Sequence, residues 1–134
     1  MLSAIGPCRL FSLDGGHTAE HTASDLRFAE QVIVNGGVVF VDDILNPEWP
    51  GVINGVAKFM QSAPSLVPFA YAGDKLLMTT VSMVDRVRKA YEVSMKSLPP
   101  CQPSARTMCF NNKPWFGWNV FSCTPKHQFQ VDLG

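Results

Sequence analysis

Two apolar segments that each end in acidic residues constrain this chain more than any other feature. The first is Phe11–His17 (FSLDGGH), and the second, further along the chain, is Gly36–Asp43 (GGVVFVDD). Between them, Ala19–Val34 has apolar residues at helical spacing, which predicts an amphipathic helix. A strand, a helix and a second strand in this order form a right-handed βαβ unit whose strands are parallel.

Acidic residues follow both predicted strands at the same end of this unit. Because parallel strands end at one edge of a sheet, Asp14, Asp42 and Asp43 should meet there. His17 follows the first acid and should lie with them, at the edge where ligands of open α/β folds bind. Three carboxylates repel one another unless protons or a cation lie among them. The sequence therefore predicts a cation site, with the alternative that one acid caps a turn and another is solvated.

Length and composition limit the classes of protein. A chain of 134 residues with 46% hydrophobic residues suits one packed domain. The formal net charge is zero, so no excess of positive charge attracts nucleic acid or an anionic membrane. No apolar run reaches the roughly 18 residues that a membrane span needs. The four cysteines are widely spaced without a Cys-x-x-Cys pair, which predicts thiols in a cytoplasmic protein: Cys8, Cys101, Cys109 and Cys123.

Apolar periodicity and turn residues predict the remaining elements. Pro50 suits the first position of a helix, and Gly73-Asp74 suits the turn of a β-hairpin. The predicted elements are strands at Arg9–Leu13 and Val38–Val41, helices at Ala19–Val34 and Pro50–Met60, a hairpin of Leu66–Ala72 with Lys75–Thr80, a helix at Val81–Leu98 and a strand at Trp118–Cys123. Asn35-Gly36-Gly37 is expected to end the first helix. Residues 1–98 are predicted to form an α/β domain, and residues 99–134 a Pro- and aromatic-rich extension packed on it.

Imidazole and aromatic side chains near the acids have competing interpretations. His17 is either a proton acceptor or a polar turn residue. His21 follows at helical spacing, so the two histidines could also form a metal pair, although that pair lacks a convincing third ligand. Trp49, together with Asn46, either lines a pocket for a small-molecule acceptor or only fixes its loop against the next helix. The aromatic residues of the extension indicate a core or an interface, since few basic residues are interleaved for nucleic-acid binding.

Taken together, these segments resemble a known family. The order FSLDGGHT, a helix, NGGVVFVDD and then NPEWPGV is similar to the C-terminal half of class I S-adenosylmethionine-dependent methyltransferases of the methyltransferase domain 24 type. The likeness covers Arg9–Thr80. It implies an α/β fold with a partial Rossmann-like methyltransferase sheet, made of two parallel strands plus an antiparallel hairpin, and flanking helices. By this resemblance Arg9–Asp14 is the fourth strand of a seven-stranded sheet and Val38–Asp42 is the fifth.

The resemblance also implies a chemistry for the acidic edge. Asp14, Asp42 and Asp43 match the positions at which metal-dependent members hold Mg²⁺ or another divalent cation. Such a cation chelates substrate hydroxyls and lowers the pKa of the one to be methylated. Members often place an acidic base where this chain has Gly16, so His17 is the nearest proton acceptor. The implied activity is metal-assisted transfer of a methyl group from S-adenosylmethionine to a small hydroxylated substrate.

One departure from the family concerns the cofactor. Members bind S-adenosylmethionine with a glycine-rich turn after their first strand, and nothing before Arg9 resembles that turn. A second hypothesis is therefore a non-catalytic module that self-associates as a homo-oligomer or pairs with a separate N-terminal half. The inner edge of the first strand would then need a cover, which such a partner or the aromatic extension could provide. A third is a metal-dependent binding domain for sugars or phenols that needs no cofactor.

Overall fold

The computed structural model describes residues 6–98 and 108–125, which form six strands and three α-helices. In chain order the elements are β1 (Cys8–Leu13), α1 (Ala19–Val32), β2 (Ile33–Val41), α2 (Pro50–Met60), β3 (Leu66–Ala72), β4 (Lys75–Thr80), a 3-10 turn (Val81–Met83), α3 (Val84–Ser97), β5 (Met108–Trp115) and β6 (Trp118–Pro125). The last helix thus starts as a 3-10 turn, three residues before α3 itself. None of these helices combines the length and the apolar character that crossing a membrane requires.

All six strands form one mixed sheet in the order β1-β2-β4-β3-β6-β5. β1 and β2 are parallel, as the βαβ pattern predicts, and β3 and β4 form the predicted antiparallel hairpin. This arrangement with its helices confirms the α/β fold class and is compatible with a Rossmann-like sheet. Leu13 pairs with Val41, and the amide of Asp42 donates a hydrogen bond to the carbonyl of Leu13 at 3.0 Å. The carboxyl ends of β1 and β2 therefore lie side by side.

Helices cover both faces of the sheet and create two apolar cores. Successive residues of a strand point to opposite faces, so Val39 and Val41 lie in one core while Phe40 packs against the other. α1 and α2 supply the helical side of the first core, and α3 supplies that of the second. In the second core, the rings of Tyr91 and Phe121 meet edge to face with centroids 6.0 Å apart. The apolar run of β2 is thus explained by burial on both faces.

The junction between α1 and β2 differs from the prediction. α1 ends at Val32, and Asn35-Gly36-Gly37 lies inside β2 instead of ending a helix. Ile33 is already extended, with φ of −73° and ψ of 135°, and its β-branched side chain favours a strand. Gly36 has φ of +80°, which L side chains rarely adopt, and the β1–β2 register shifts in this region. The glycines therefore allow an irregularity in the strand rather than a helix cap.

The described part of the C-terminal extension is a hairpin, of which the sequence predicted only the second strand. β5 and β6 are antiparallel and joined by Phe116-Gly117, both with positive φ as in a tight two-residue turn. β6 pairs in parallel with β3, where Ala70 faces Phe121. The expectation that the extension covers the first strand is wrong for these residues, because the hairpin lies at the opposite end of the sheet. The opening part of the extension, 99–107, lies outside the described residues.

β1 forms one end of the sheet in the part of the chain that the structure describes. Its outward-facing residues are accessible, and the side chain of Leu10 is 67% exposed. α3 packs over β3, β4 and β6, whereas α1 packs against the opposite face of β1 and leaves the face that carries Leu10 accessible. A strand edge with an exposed apolar side chain is a surface at which another chain can pair.

α1 and α2 pack at short range because of glycines in α2. A Cβ atom on Gly55 would lie 2.5 Å from Cβ of Thr22 and 2.7 Å from the carbonyl oxygen of Ala19. A Cβ atom on Gly51, at the start of α2, would overlap the carbonyl oxygen of His17. These contacts hold the start of α2 against the turn that carries His17. The packing of the two helices therefore helps to position His17 at the end of β1.

We expect Gly55→Ala to destabilise the protein, although alanine favours a helix interior over glycine by about 1 kcal/mol. The added methyl group must displace Thr22 or the backbone of α1, which costs about 1–3 kcal/mol. Asn54→Ala, at an exposed position of the same helix, is the matched control and should change stability by less than about 0.5 kcal/mol. Urea unfolding followed by circular dichroism measures both variants. A Gly55→Ala protein as stable as the wild type would contradict the close packing.

Candidate functional site

The turn after β1 carries two of the predicted site residues, Asp14 and His17. Thr18 is the N-cap of α1, and its Oγ1 accepts the amide of His21 at 3.2 Å and lies 3.0 Å from Nδ1 of the same residue. His21 is therefore engaged at the helix start, and it is outside the group of three residues whose ligand atoms converge around His17. A Cβ atom on Gly16 would lie 2.5 Å from Nδ1 of His21. The ring of His21 takes the space that an acidic side chain at position 16 would need.

Asp14, His17 and Asp43 form a compact group at the carboxyl ends of β1 and β2. Nε2 of His17 lies 3.2 Å from Oδ2 of Asp43 and 4.0 Å from Oδ1 of Asp14. Nε2 itself is buried, although the ring is partly accessible, and its approach to Asp43 lacks hydrogen-bond geometry, so it has no hydrogen-bond partner. A buried nitrogen that lacks a hydrogen-bond partner and lies near two carboxylates, of which that of Asp14 is exposed, is an arrangement that a bound cation could complete.

Two of the three spacings between these ligand atoms match those around a small divalent cation. With metal–ligand bonds of about 2.1 Å, ligands at right angles lie about 3.0 Å apart and opposite ligands lie about 4.2 Å apart. The two histidine–carboxylate distances, 3.2 and 4.0 Å, fall within this range. All three ligand atoms lie within 4.8 Å of one another. Asp14, His17 and Asp43 are therefore residues that could hold a metal.

Asp42, the remaining predicted ligand, is engaged by Lys75. Nζ of Lys75 lies 2.7 Å from Oδ1 of Asp42, and the amide of Asp43 donates to the same oxygen at 3.0 Å. The hydrogen bond from Lys75 lowers the pKa of the Asp42 carboxyl, and the same bond raises the pKa of Lys75. The structure thus places Asp42 next to the compact group but with its carboxylate in an ion pair.

Lys75 is the site residue that sequence reasoning missed. It is the first residue of β4, and β4 pairs with β2 so that Leu76 faces Val41. This register carries Lys75 to the end of β2, beside Asp42. The signal in the sequence was a single lysine after the Gly73-Asp74 turn, and it becomes informative only when the hairpin is aligned with β2 in antiparallel register.

The loop after β2 contacts the compact group through Asn46 and Trp49. Asp43 has a φ of +57°, and its Oδ1 accepts a hydrogen bond from Nδ2 of Asn46 at 2.9 Å. The ring of Trp49 stacks on that of His17, with centroids 4.3 Å apart and planes inclined by 19°. Trp49 is 41% exposed. The two residues predicted to lie beside a substrate therefore contact the candidate ligands directly.

A small pocket lies beside this group. Its walls include Asp14, His17 and Asp42, together with Asp25 from α1. Its volume of about 10 Å³ is close to what one water molecule requires. Pockets for drug-sized ligands measure roughly 300–1,000 Å³. This pocket therefore fits an ion or a water molecule, whereas S-adenosylmethionine needs additional surface.

We expect Lys75→Met to lower stability slightly at neutral pH, because a partly exposed ion pair contributes about 0–1 kcal/mol. Folding lowers the pKa of Asp42, so its contribution is present above the unfolded value of 3.8 and is lost as pH falls through the folded value. Folding raises the pKa of Lys75, so its contribution is present below 10.5 and is lost as pH rises through the folded value.

A double-mutant cycle of Lys75→Met with Asp42→Asn isolates this pair. Thermal unfolding at pH 7 should give a favourable coupling energy, and the coupling should be lost as pH falls below 3.8 through the lowered pKa of Asp42. A coupling energy that keeps its size as pH falls would contradict the ion pair.

A comparison with known protein families finds a match for the N-terminal part of the chain, which contains the acidic residues that follow β1 and β2. Residues 2–44 match the family model Methyltransf_24, a methyltransferase domain. The match covers about a third of the chain and contains β1, α1 and β2 with Asp14, His17, Asp42 and Asp43, whereas Lys75 lies beyond it. A search of curated proteins found no match. Residues 2–44 are thus similar to a segment of a methyltransferase domain, and this similarity supports a class I S-adenosylmethionine-dependent methyltransferase-like domain.

Proposed function

We propose that the chain serves the transfer of a methyl group from S-adenosylmethionine to a hydroxyl of a small molecule, assisted by a divalent cation. The observation that carries this proposal is the group of Asp14, His17 and Asp43, which lies inside the segment that matches a methyltransferase domain. In this reaction the substrate oxygen attacks the methyl carbon in line with the carbon–sulfur bond. That bond breaks, S-adenosylhomocysteine leaves with the electron pair, and the hydroxyl proton passes to solvent.

Three residues are assigned to hold the cation: Asp14 and Asp43 through carboxylate oxygens, and His17 through Nε2. A cation bound there would polarise a substrate hydroxyl and lower its pKa. This assignment differs from the sequence-based one, in which Asp42 was a ligand and His17 the proton acceptor. It follows the contacts, because Lys75 already engages Asp42 while the buried Nε2 faces the other two carboxylates.

Trp49 is assigned to the acceptor side of the site. Its ring stacks on His17 and is 41% exposed, so an accessible apolar surface lies next to the candidate ligands. Such a surface suits the ring of a phenol or a sugar. Asn46 is assigned to positioning, because its side-chain amide holds Asp43. The compartment we propose is the cytoplasm, which rests on the wide spacing of the cysteines in the sequence.

Two treatments test this function: removal of divalent cations with a chelator, and substitution of the candidate metal ligand Asp43. The purified chain is incubated with methyl-labelled S-adenosylmethionine and a panel of catechols and sugars, and label transferred to the acceptors is counted. We expect chelation to abolish transfer and readdition of a divalent cation to restore it. Asp43→Asn should lower transfer at least about tenfold, whereas Asp85→Asn, at an exposed position of α3, is the matched control. Transfer that persists through both chelation and Asp43→Asn would contradict the metal-assisted mechanism.

The uncovered edge of β1 favours a second candidate function. In this proposal the chain is a methyltransferase-like module that self-associates, or that pairs with a separate chain supplying the cofactor-binding half. Leu10 on this strand is exposed, and the pocket beside Asp14 is too small for S-adenosylmethionine. A strand added to β1 would cover the apolar edge and would add surface next to the acidic residues.

Sedimentation velocity over a range of protein concentrations tests this second candidate. We expect a dimer or a larger species, which Leu10→Lys weakens by placing a charge on the edge strand. Val93→Lys changes an apolar residue of α3 that is similarly exposed, and it should leave the association unchanged. A chain that remains monomeric at every concentration and binds S-adenosylmethionine in calorimetry would contradict this candidate and favour the first.

A further inference from the structure

We propose that this edge of the sheet selects a first-row transition-metal dication over Mg²⁺, and that Lys75 sets the preference by keeping Asp42 out of the ligand set. The inference rests on the proposed metal-assisted function and specifies its metal. Two contacts carry it: the approach of His17 Nε2 to Asp43, and the ion pair between Lys75 and Asp42.

The ligand atoms that converge here differ from those that Mg²⁺ prefers. Mg²⁺ is bound through oxygen ligands in nearly ideal octahedral geometry and keeps several waters. His17 offers an imidazole nitrogen, which suits first-row transition metals such as iron, nickel and zinc. Its Nε2 lies 3.2 Å from a carboxylate oxygen of Asp43 and 4.0 Å from one of Asp14. One nitrogen and two carboxylates therefore form a mixed set that favours a transition metal.

Lys75 also determines the charge that a cation meets. The edge carries the carboxylates of Asp14, Asp42 and Asp43, and the contact of 2.7 Å between Lys75 and Asp42 balances one of them. The carboxylates of Asp14 and Asp43 remain, and the two positive charges of one dication balance them. Asp25 lines the adjoining pocket but is outside the group whose ligand atoms converge. Removal of Lys75 would free the carboxylate of Asp42 to join those of Asp14 and Asp43. Three carboxylates form a set of oxygen ligands, which suits Mg²⁺.

Neighbouring contacts orient the ligand atoms before a metal binds. Nδ2 of Asn46 donates a hydrogen bond to Oδ1 of Asp43 at 2.9 Å. The other carboxylate oxygen of Asp43, Oδ2, is therefore the one that faces His17. Trp49 stacks on the His17 ring at 4.3 Å and fixes its plane. Outer contacts of this kind commonly change metal affinity by about 10–100-fold. These contacts orient His17 and Asp43 in advance, and this orientation favours a metal that binds an imidazole nitrogen.

Cobalt absorption and magnesium competition test the inference on the full chain. Co²⁺ is titrated into metal-free protein, its visible bands report the ligand set, and Mg²⁺ is then added as competitor. We expect Co²⁺ to bind at least about tenfold more tightly than Mg²⁺. His17→Gln should weaken Co²⁺ binding at least about tenfold and alter the bands, whereas His21→Gln should do neither. Lys75→Met should strengthen Mg²⁺ binding, whereas Lys58→Met, at an exposed position of α2, should not.

The outcomes separate this inference from the function on which it rests. If Mg²⁺ displaces Co²⁺ at equal concentration, or if His17→Gln binds Co²⁺ as the wild type does, the metal preference is overturned while a metal-assisted function stands. If Lys75→Met and Lys58→Met affect Mg²⁺ equally, Lys75 does not set the preference. If the folded wild type binds neither metal, both the inference and the proposed metal role fall. The wild-type competition decides the preference even where a variant does not fold.

Discussion

The parallel pairing of β1 with β2 is the constraint on which the rest of the site depends. The carbonyl of Leu13 accepts the amide of Asp42, so the residues that follow both strands share one edge. The backbones of Asp14, Asp42 and Asp43 stay close together as long as this pairing holds, and a nearby positive charge lowers the repulsion between their carboxylates. Lys75 offsets one of the three charges. The other two face a buried imidazole nitrogen, and this is the arrangement from which the proposed cation site follows.

Helix packing links the first core to this edge. Gly55 allows α2 to lie directly against α1, and Gly51 brings the start of α2 against the turn that carries His17. Trp49 immediately precedes α2, so the same approach delivers its ring onto His17. A change that separates the two helices should therefore disturb the site as well as the core. The stability of the protein and the geometry of the candidate site therefore depend on the same interface, although no side chain of that interface is itself a candidate ligand.

The sequence predicts those parts of the structure that depend on local pattern. The βαβ unit and the α2 helix follow from apolar spacing and from Pro50, and the meeting of Asp14 with Asp43 follows from parallel strands. Lys75 could not be predicted in this way, because its contact with Asp42 depends on the antiparallel register between strands that are distant in sequence. β5 is hard to predict because polar residues at 111–113 and a proline interrupt its apolar pattern. Apolar spacing alone does not assign Ile33 to the strand, because this residue fits the pattern of α1 as well as that of β2.

In the proposed site, a cation binds between Asp14, His17 and Asp43 while Asp42 stays with Lys75. Anomalous diffraction from crystals soaked in Co²⁺ tests it most directly, because it locates the metal without reference to activity or cofactor. We expect one anomalous peak about 2.0–2.2 Å from Nε2 of His17 and from a carboxylate oxygen of each of Asp14 and Asp43, with Lys75 still bonded to Asp42. A peak ligated by Asp42 with Lys75 displaced, or no peak at this edge in a fully soaked crystal, would contradict it.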